Sequence, residues 1–180
     1  SNLSAKTVSI LGCGGIGNLV AVTLATAGVG KLILVDNDEI EVSNLSRQIM
    51  FTEKDIGSKK VVVLAEALKQ RNSKIEIEVV QKDITNENDL ECLPKSDLTI
   101  LSADHPNSLV SWFNRFAVKN NHPYINIGYV EDIATFGPFV VPGVTGCFEC
   151  QQMIGSRNLP TKKNNIALNE LNKSYQAPSC

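Results

Sequence analysis

The chain has 180 residues, 43% of them hydrophobic, with mean hydropathy near zero and a net charge of −2 from 17 basic and 19 acidic residues. This suits one folded domain with a core of useful size and excludes a disordered chain; without a lysine/arginine stripe it also argues against a nucleic-acid partner. No apolar run approaches the ~18 residues of a membrane span, no signal peptide is visible, and five scattered cysteines suit a reducing cytoplasm better than a disulfide framework. The start at Ser1 and the stop at SYQAPSC read as a piece of a longer protein.

In chain order, strand-like runs alternate with helical ones. TVSIL (7–11) is a β-branched strand leading into a glycine turn and a helix that runs to about Ala27. KLILVD (31–36) is a continuous apolar run, as in a parallel strand covered on both faces. A polar loop spans 37 to about 56. The helix from about Ser58 to Asn72 puts Val61, Leu64, Ala65 and Leu68 on one stripe. KIEIEVV (74–80) alternates like a strand with one wetter face, and DLTILS (97–102) is a fourth strand. Leu109, Trp112, Phe113, Phe116 and Ala117 follow at helical spacing and read as core rather than a cofactor box. PYINIGYV and DIATFGPFVVPG give two more strands joined by a short turn, and 155–180 is polar, without period, and reads as a mobile loop.

Alternation of this kind predicts an α/β fold: a doubly wound, Rossmann-like, largely parallel sheet with helices on both faces. The expected organisation is a single nucleotide-binding domain over 1–180, with its Rossmann-like core at 1–142 and a CxxC segment and crossover loop at 143–180. The fold reads as incomplete at its C-terminal side.

Gly12-Cys13-Gly14-Gly15-Ile16-Gly17 fits GxGxxG between a strand and a helix. Gly12 permits the tight turn, Gly14 and Gly15 bring bare backbone to a phosphate, and Gly17 allows close helix–strand packing. The helix N-terminus adds free N–H groups and positive potential. Asp36 stands where an acidic residue meets a ribose hydroxyl. This fingerprint does not separate NAD from ATP. The following segments do: Asn44, Arg47 and Gln48 lie in the polar loop, and Lys59 and Lys60 open the next helix against its dipole. A dehydrogenase has no use for so many cationic groups around its nucleotide, whereas a triphosphate rewards them.

GCGGIG, VDNDEIEVSNLSRQ, GSKK and SADHP occur in the order found in the E1-like adenylating enzymes of the ThiF/MoeB/HesA type, which the chain resembles from Val8 to about Gln151. SADHP, YINIGYV and FGPFVVPGVTGCFEC look most like its peptide-modifying, microcin-type branch. The resemblance implies that the glycine turn holds ATP, Asp36 binds the ribose, and Asn44, Arg47 and Gln48 meet the phosphates. It implies that Lys60 stabilises phosphate charge and Asp104 holds Mg²⁺. It also implies a homodimer in which a partner arginine completes the site; no residue of this chain is assigned to that role.

Plainer readings stand beside these. Asp36 also fits a strand-end residue, Arg47 a solvated loop arginine, and Asp104 an acid at a helix start. His105 reads as a cap or surface residue, His122 as ordinary loop and Cys13 as a small buried filler. Cys147 and Cys150 form half of a structural Zn²⁺ site, whose second pair the resemblance places further downstream. The pair follows a Pro-Gly turn rather than opening a helix, which weighs against a redox CxxC.

The expected function is ATP- and Mg²⁺-dependent adenylation of the C-terminal carboxylate of a peptide or small protein in the cytoplasm, releasing pyrophosphate. The alternative is an activator of a ubiquitin-like sulfur-carrier protein. Readings of other classes are an NAD-dependent oxidoreductase and a truncated, non-catalytic nucleotide-binding module.

Overall fold

A computed structural model describes residues 2–130 and 133–158. Its strands are β1 (Thr7–Leu11), β2 (Lys31–Val35), β3 (Glu76–Val80), β4 (Leu98–Leu101), β5 (Tyr124–Val130) and β6 (Ile133–Val140). Its helices are α1 (Gly15–Ala27), α2 (Lys60–Arg71), α3 (Leu109–Lys119) and α4 (Phe148–Asn158). The six strands form one sheet in the order β3-β2-β1-β4-β5-β6, parallel except for the antiparallel β5–β6 pair. This is the doubly wound, Rossmann-like α/β architecture expected from the alternation of strand and helix.

Strand alternation sends side chains to two cores. On one face Val8, Ile10, Leu32 and Leu34 meet Ala21 and Ala25 of α1 and Val61, Leu64 and Leu68 of α2. On the other, Leu11, Ile33, Val35 and Leu101 meet Leu109, Phe113 and Ala117 of α3. Full burial of one such side chain stabilises the fold by ~1.5–3 kcal/mol. Ala21 and Ala25 have little bulk, which lets α1 lie close to the sheet. α1 stops at Gly28, whose φ of +89° is left-handed and whose N–H caps the carbonyl of Ala25.

Several boundaries move. β3 begins at Glu76 rather than residue 74, and α2 begins at Lys60 rather than near 58. The loop after β2 carries 3₁₀ turns at Val42–Asn44 and Glu53–Asp55. The larger correction is α4: the expected loop at 155–180 is helical through Asn158, and 159–180 lie outside the described residues. The side chain of Asn114 in α3 explains how α4 is seated. Its Oδ1 accepts from the Tyr124 hydroxyl (2.9 Å) and from the N–H of Phe148 (3.0 Å), satisfying an orphan donor of the α4 first turn. Burial pushes the Tyr124 hydroxyl up from its usual pKa and keeps it a donor.

Candidate functional site

Strand order reverses between β1 and β4, and a crevice opens beyond their C-terminal ends, the place where doubly wound sheets hold ligands. A cleft of about 350 Å³ lies there. The glycine turn forms its floor. Gly12 has φ +95°, and a Cβ on it would come within 2.5 Å of the Ala103 nitrogen. The turn is tied to the end of β4: Ser102 Oγ donates to the carbonyl of Gly12 (2.7 Å), and the N–H of Ala103 donates to that of Leu11 (2.9 Å). α1 then starts at an N-cap, Gly14, with no side-chain cap. Its first N–H groups are left for a ligand.

Asp36, directly after β2, clamps this turn. Its Oδ2 accepts from the N–H of Cys13 (2.7 Å) and its Oδ1 from the N–H of Asp38 (2.8 Å). Each carboxylate oxygen can accept a second bond, so the clamp leaves capacity for a ribose hydroxyl. Cys13 is fully buried, and burial raises its thiol pKa well above the usual value, as befits an inert filler.

The cleft brings Gly12, Gly14, Gly15, Asp36, Arg47, Gln48, Lys60 and Asp104 together. Arg47 is exposed and folds over Gly15, its Cγ 3.6 Å from where a Cβ would stand, and its Nη1 donates to the carbonyl of Ser43 (2.8 Å). Lys60 is the first residue of α2, buried, with its ammonium 2.7 Å from Asp38. Gln48 is 2% exposed, and its Oε1 lacks a hydrogen-bond partner among the described residues. A buried acceptor without a partner costs ~1–3 kcal/mol, a cost that a donor on a ligand or water at this cleft would offset.

Two expected residues lie elsewhere. Gly17 is absent from the cleft wall; a Cβ there would stand 1.9 Å from the Gly12 oxygen, so its part is packing α1 against the turn. Asn44 is also outside the wall. It is buried, its Oδ1 accepts from the N–H of Glu41 (3.1 Å), and its carbonyl accepts from the N–H groups of Arg47 and Gln48. Asn44 therefore shapes the loop that presents those two residues instead of facing the cleft itself.

The cleft also uses residues that sequence reasoning missed, notably Asp38, Lys82, Asp83 and Tyr129. Asp38 was legible as the second acid of VDND; Lys82 and Asp83 come from the loop after β3 and Tyr129 from β5, which only the folded sheet brings near. His105, read as a surface residue, also lines the cleft. His122, read as ordinary loop, lies in the loop before β5 and is half-buried there. Its Nε2 stands 2.8 Å from Thr99 Oγ1, and its ring packs edge-on to Phe113.

The residues fit ATP with a magnesium ion. An uncapped helix N-terminus, a guanidinium and an ammonium suit a polyphosphate. Among the described residues no cluster of three or more metal-ligating side chains occurs. Mg²⁺ characteristically takes one or two carboxylates and completes its shell with phosphate oxygens and water, and Asp104 offers such a carboxylate at the cleft.

Cys147 and Cys150 sit outside the cleft, their sulfurs 3.5 Å apart. Cys147 directly precedes α4 and Cys150 lies in its first turn, so the pair opens a helix, with the turn at Pro142 and Gly143 between it and β6. The N–H of Cys150 donates toward the Cys147 sulfur and holds its pKa below the usual thiol value. A structural zinc site takes four ligands, of which this pair could supply two.

The ThiF family profile matches residues 1–176. The chain is 34% identical over 146 residues to the sulfur carrier protein ThiS adenylyltransferase of Escherichia coli, covering 79% of this chain and 57% of that protein. It is 31% identical over 148 residues to the HesA protein of a Nostoc species, covering 82% and 58%. Among solved structures, E. coli MccB with AMPCPP and MccA superimposes with a TM-score of 0.84 at 46% identity, covering 99% of this chain and 51% of MccB. E. coli MccB with ATP gives a TM-score of 0.83 at 45% identity, with the same coverage. The chain thus spans little more than half the length of these relatives. It belongs to the ThiF family.

Proposed function

We propose that this chain is the nucleotide-binding part of an adenylyltransferase that activates the C-terminal carboxylate of a peptide with ATP. The observation that carries the reading is the convergence of Asp36, Arg47, Lys60 and Asp104 on the glycine turn at the switch point of the sheet. A carboxylate oxygen of the peptide attacks the α-phosphorus, the bond from that phosphorus to its bridging oxygen breaks, and pyrophosphate leaves with the electron pair. The product is an acyl-adenylate. Attack brings two anions together, so Arg47 and Lys60 serve by neutralising phosphate charge as it shifts toward the leaving group. No protein nucleophile is needed. Asp104 would hold the magnesium ion, which when bound supplies Lewis-acid support to the phosphates.

The peptide substrate is supported by the 46% identity to MccB, crystallised with MccA, over 99% of this chain. The second reading, activation of a ubiquitin-like sulfur carrier, is supported by the 34% identity to the ThiS adenylyltransferase. Mass spectrometry of the intact protein's reaction with ATP separates them. A short peptide gaining an adenylyl group supports the first; adenylation confined to a folded carrier protein supports the second. In the same reading the intact protein is a homodimer, and Cys147 and Cys150 bind zinc with two ligands from outside the described residues; metal analysis of the intact protein tests the latter.

A further inference from the structure

Lys60 occupies an unfavourable place for a cation. It opens α2, where the helix dipole is positive, with no side-chain cap at Lys59 and no acid in the first turn. The missing carboxylate comes from the segment after β2. The Asp38 side chain accepts from the Lys60 ammonium at 2.7 Å, and its carbonyl accepts from the Lys60 N–H at 3.0 Å. Asp38 is itself fixed, since its N–H donates to Asp36 Oδ1. Next to it Glu39 and Lys59 form an antiparallel bridge, flanked by hydrogen bonds from Ile40 N–H to the Ser58 carbonyl and from Gly57 N–H to the Ile40 carbonyl (both 2.9 Å). The residues on either side of the pair therefore move as one ribbon.

The pair is asymmetric. The Lys60 side chain is 8% exposed and that of Asp38 is 66% exposed, and both line the cleft. The ammonium is held inside by a carboxylate that keeps its own hydration. An ammonium has three donors, so one bond to Asp38 fixes its direction and leaves two for phosphate oxygens. A lysine has many rotamers, and the bond to Asp38 holds its ammonium in one of them, so its charge stands where negative charge gathers on the phosphates as the leaving group departs.

We propose that Asp38 is the positioning residue for Lys60, aiming its ammonium at the phosphates; this rests on the adenylation reading. Asp38 acts through Lys60 and adds nothing favourable of its own to nucleotide affinity. As a like charge near a polyphosphate it opposes binding slightly.

Two measurements on the intact protein test it: ATP–pyrophosphate exchange with short peptides bearing a free C-terminal carboxylate, and calorimetric binding of AMPCPP, for wild type, Asp38→Asn, Lys60→Ala and the double variant. Asp38→Asn should lower the exchange kcat by about tenfold with no rise in the KM for ATP. The double variant should be no slower than Lys60→Ala, and Asp38→Asn should bind AMPCPP at least as tightly as wild type. Losses that multiply in the double variant, or a raised KM and weakened AMPCPP binding in Asp38→Asn, would overturn the proposal. So would an unchanged kcat. Asp38→Ala replaces the asparagine variant if that one is insoluble. A wild type that binds AMPCPP but exchanges with no peptide or folded carrier protein defeats the adenylation reading alone; the binding arm then decides on Asp38, whose proposal falls if Asp38→Asn weakens binding in the Lys60→Ala background.

Discussion

A Cβ on Gly17 would lie 1.9 Å from the carbonyl oxygen of Gly12 and 2.9 Å from its carbonyl carbon. The two glycines therefore set how deeply α1 sinks against the end of β1, and with it how near the first N–H groups of the helix come to the cleft. Both obstructing atoms are backbone, which cannot rotate away. Gly17→Ala should cost about 3 kcal/mol or more. Gly28→Ala is the comparison: φ there is +89° with nothing within 4 Å of an added Cβ, so only conformational strain of about 1 kcal/mol is expected. Denaturant unfolding of both variants checks the difference, and equal costs would contradict the packing account.

The cations around the cleft predict a nucleotide preference. At a hundred times its Kd, ATP with Mg²⁺ should stabilise the protein by about 2.7 kcal/mol, raising Tm by roughly 5–10 °C in a domain of this size. NAD at the same concentration should leave Tm within about 1 °C of the unliganded value on that scale. A larger shift with NAD would remove the reason for assigning Arg47 and Lys60 to phosphates.

Arg47→Ala and Lys60→Ala should act on turnover more than on affinity. Charge moves onto the leaving pyrophosphate only in the transition state, so each variant should lose about a hundredfold in kcat. The KM for ATP should rise by no more than about fivefold. A Lys60→Ala variant with unchanged kcat would take Lys60 out of the reaction.

His122 gives the fold a pH dependence away from the cleft. Burial holds its pKa below the ordinary value of 6.5. The unfolded chain therefore binds the proton more readily than the folded one. Stability from this residue is fully present above 6.5 and is lost as pH falls through the lower folded-state value. Unfolding free energy should rise with pH across that window, and His122→Gln should flatten the rise. An unaltered slope in the variant would assign it to other groups.

The sheet was legible because β2 is an apolar run and β3 alternates, and because α2 and α3 carry clear stripes. Val61, Leu64, Ala65 and Leu68, for example, are all buried as their spacing demands. α4 was not legible: FECQQMIGSRN has no apolar stripe, and its first turn is satisfied by Asn114, thirty-four positions away from Phe148. The cleft was partly legible. The glycine turn and Asp36 follow from local spacing. Asn44, buried in the loop, and Asp38, paired with a lysine 22 positions later, depend on how the segment after β2 folds against α2. His122, in the loop before β5, meets Thr99 of β4, a contact no local pattern records.

The most direct test of the account is ATP–pyrophosphate exchange by the intact protein with Mg²⁺, run with and without short peptides bearing a free C-terminal carboxylate. The account predicts label moving from pyrophosphate into ATP only when a cognate peptide is present, and abolished when that peptide is C-terminally amidated. Exchange that ignores the carboxylate, or no exchange with any peptide or folded carrier protein while ATP binds, would contradict it.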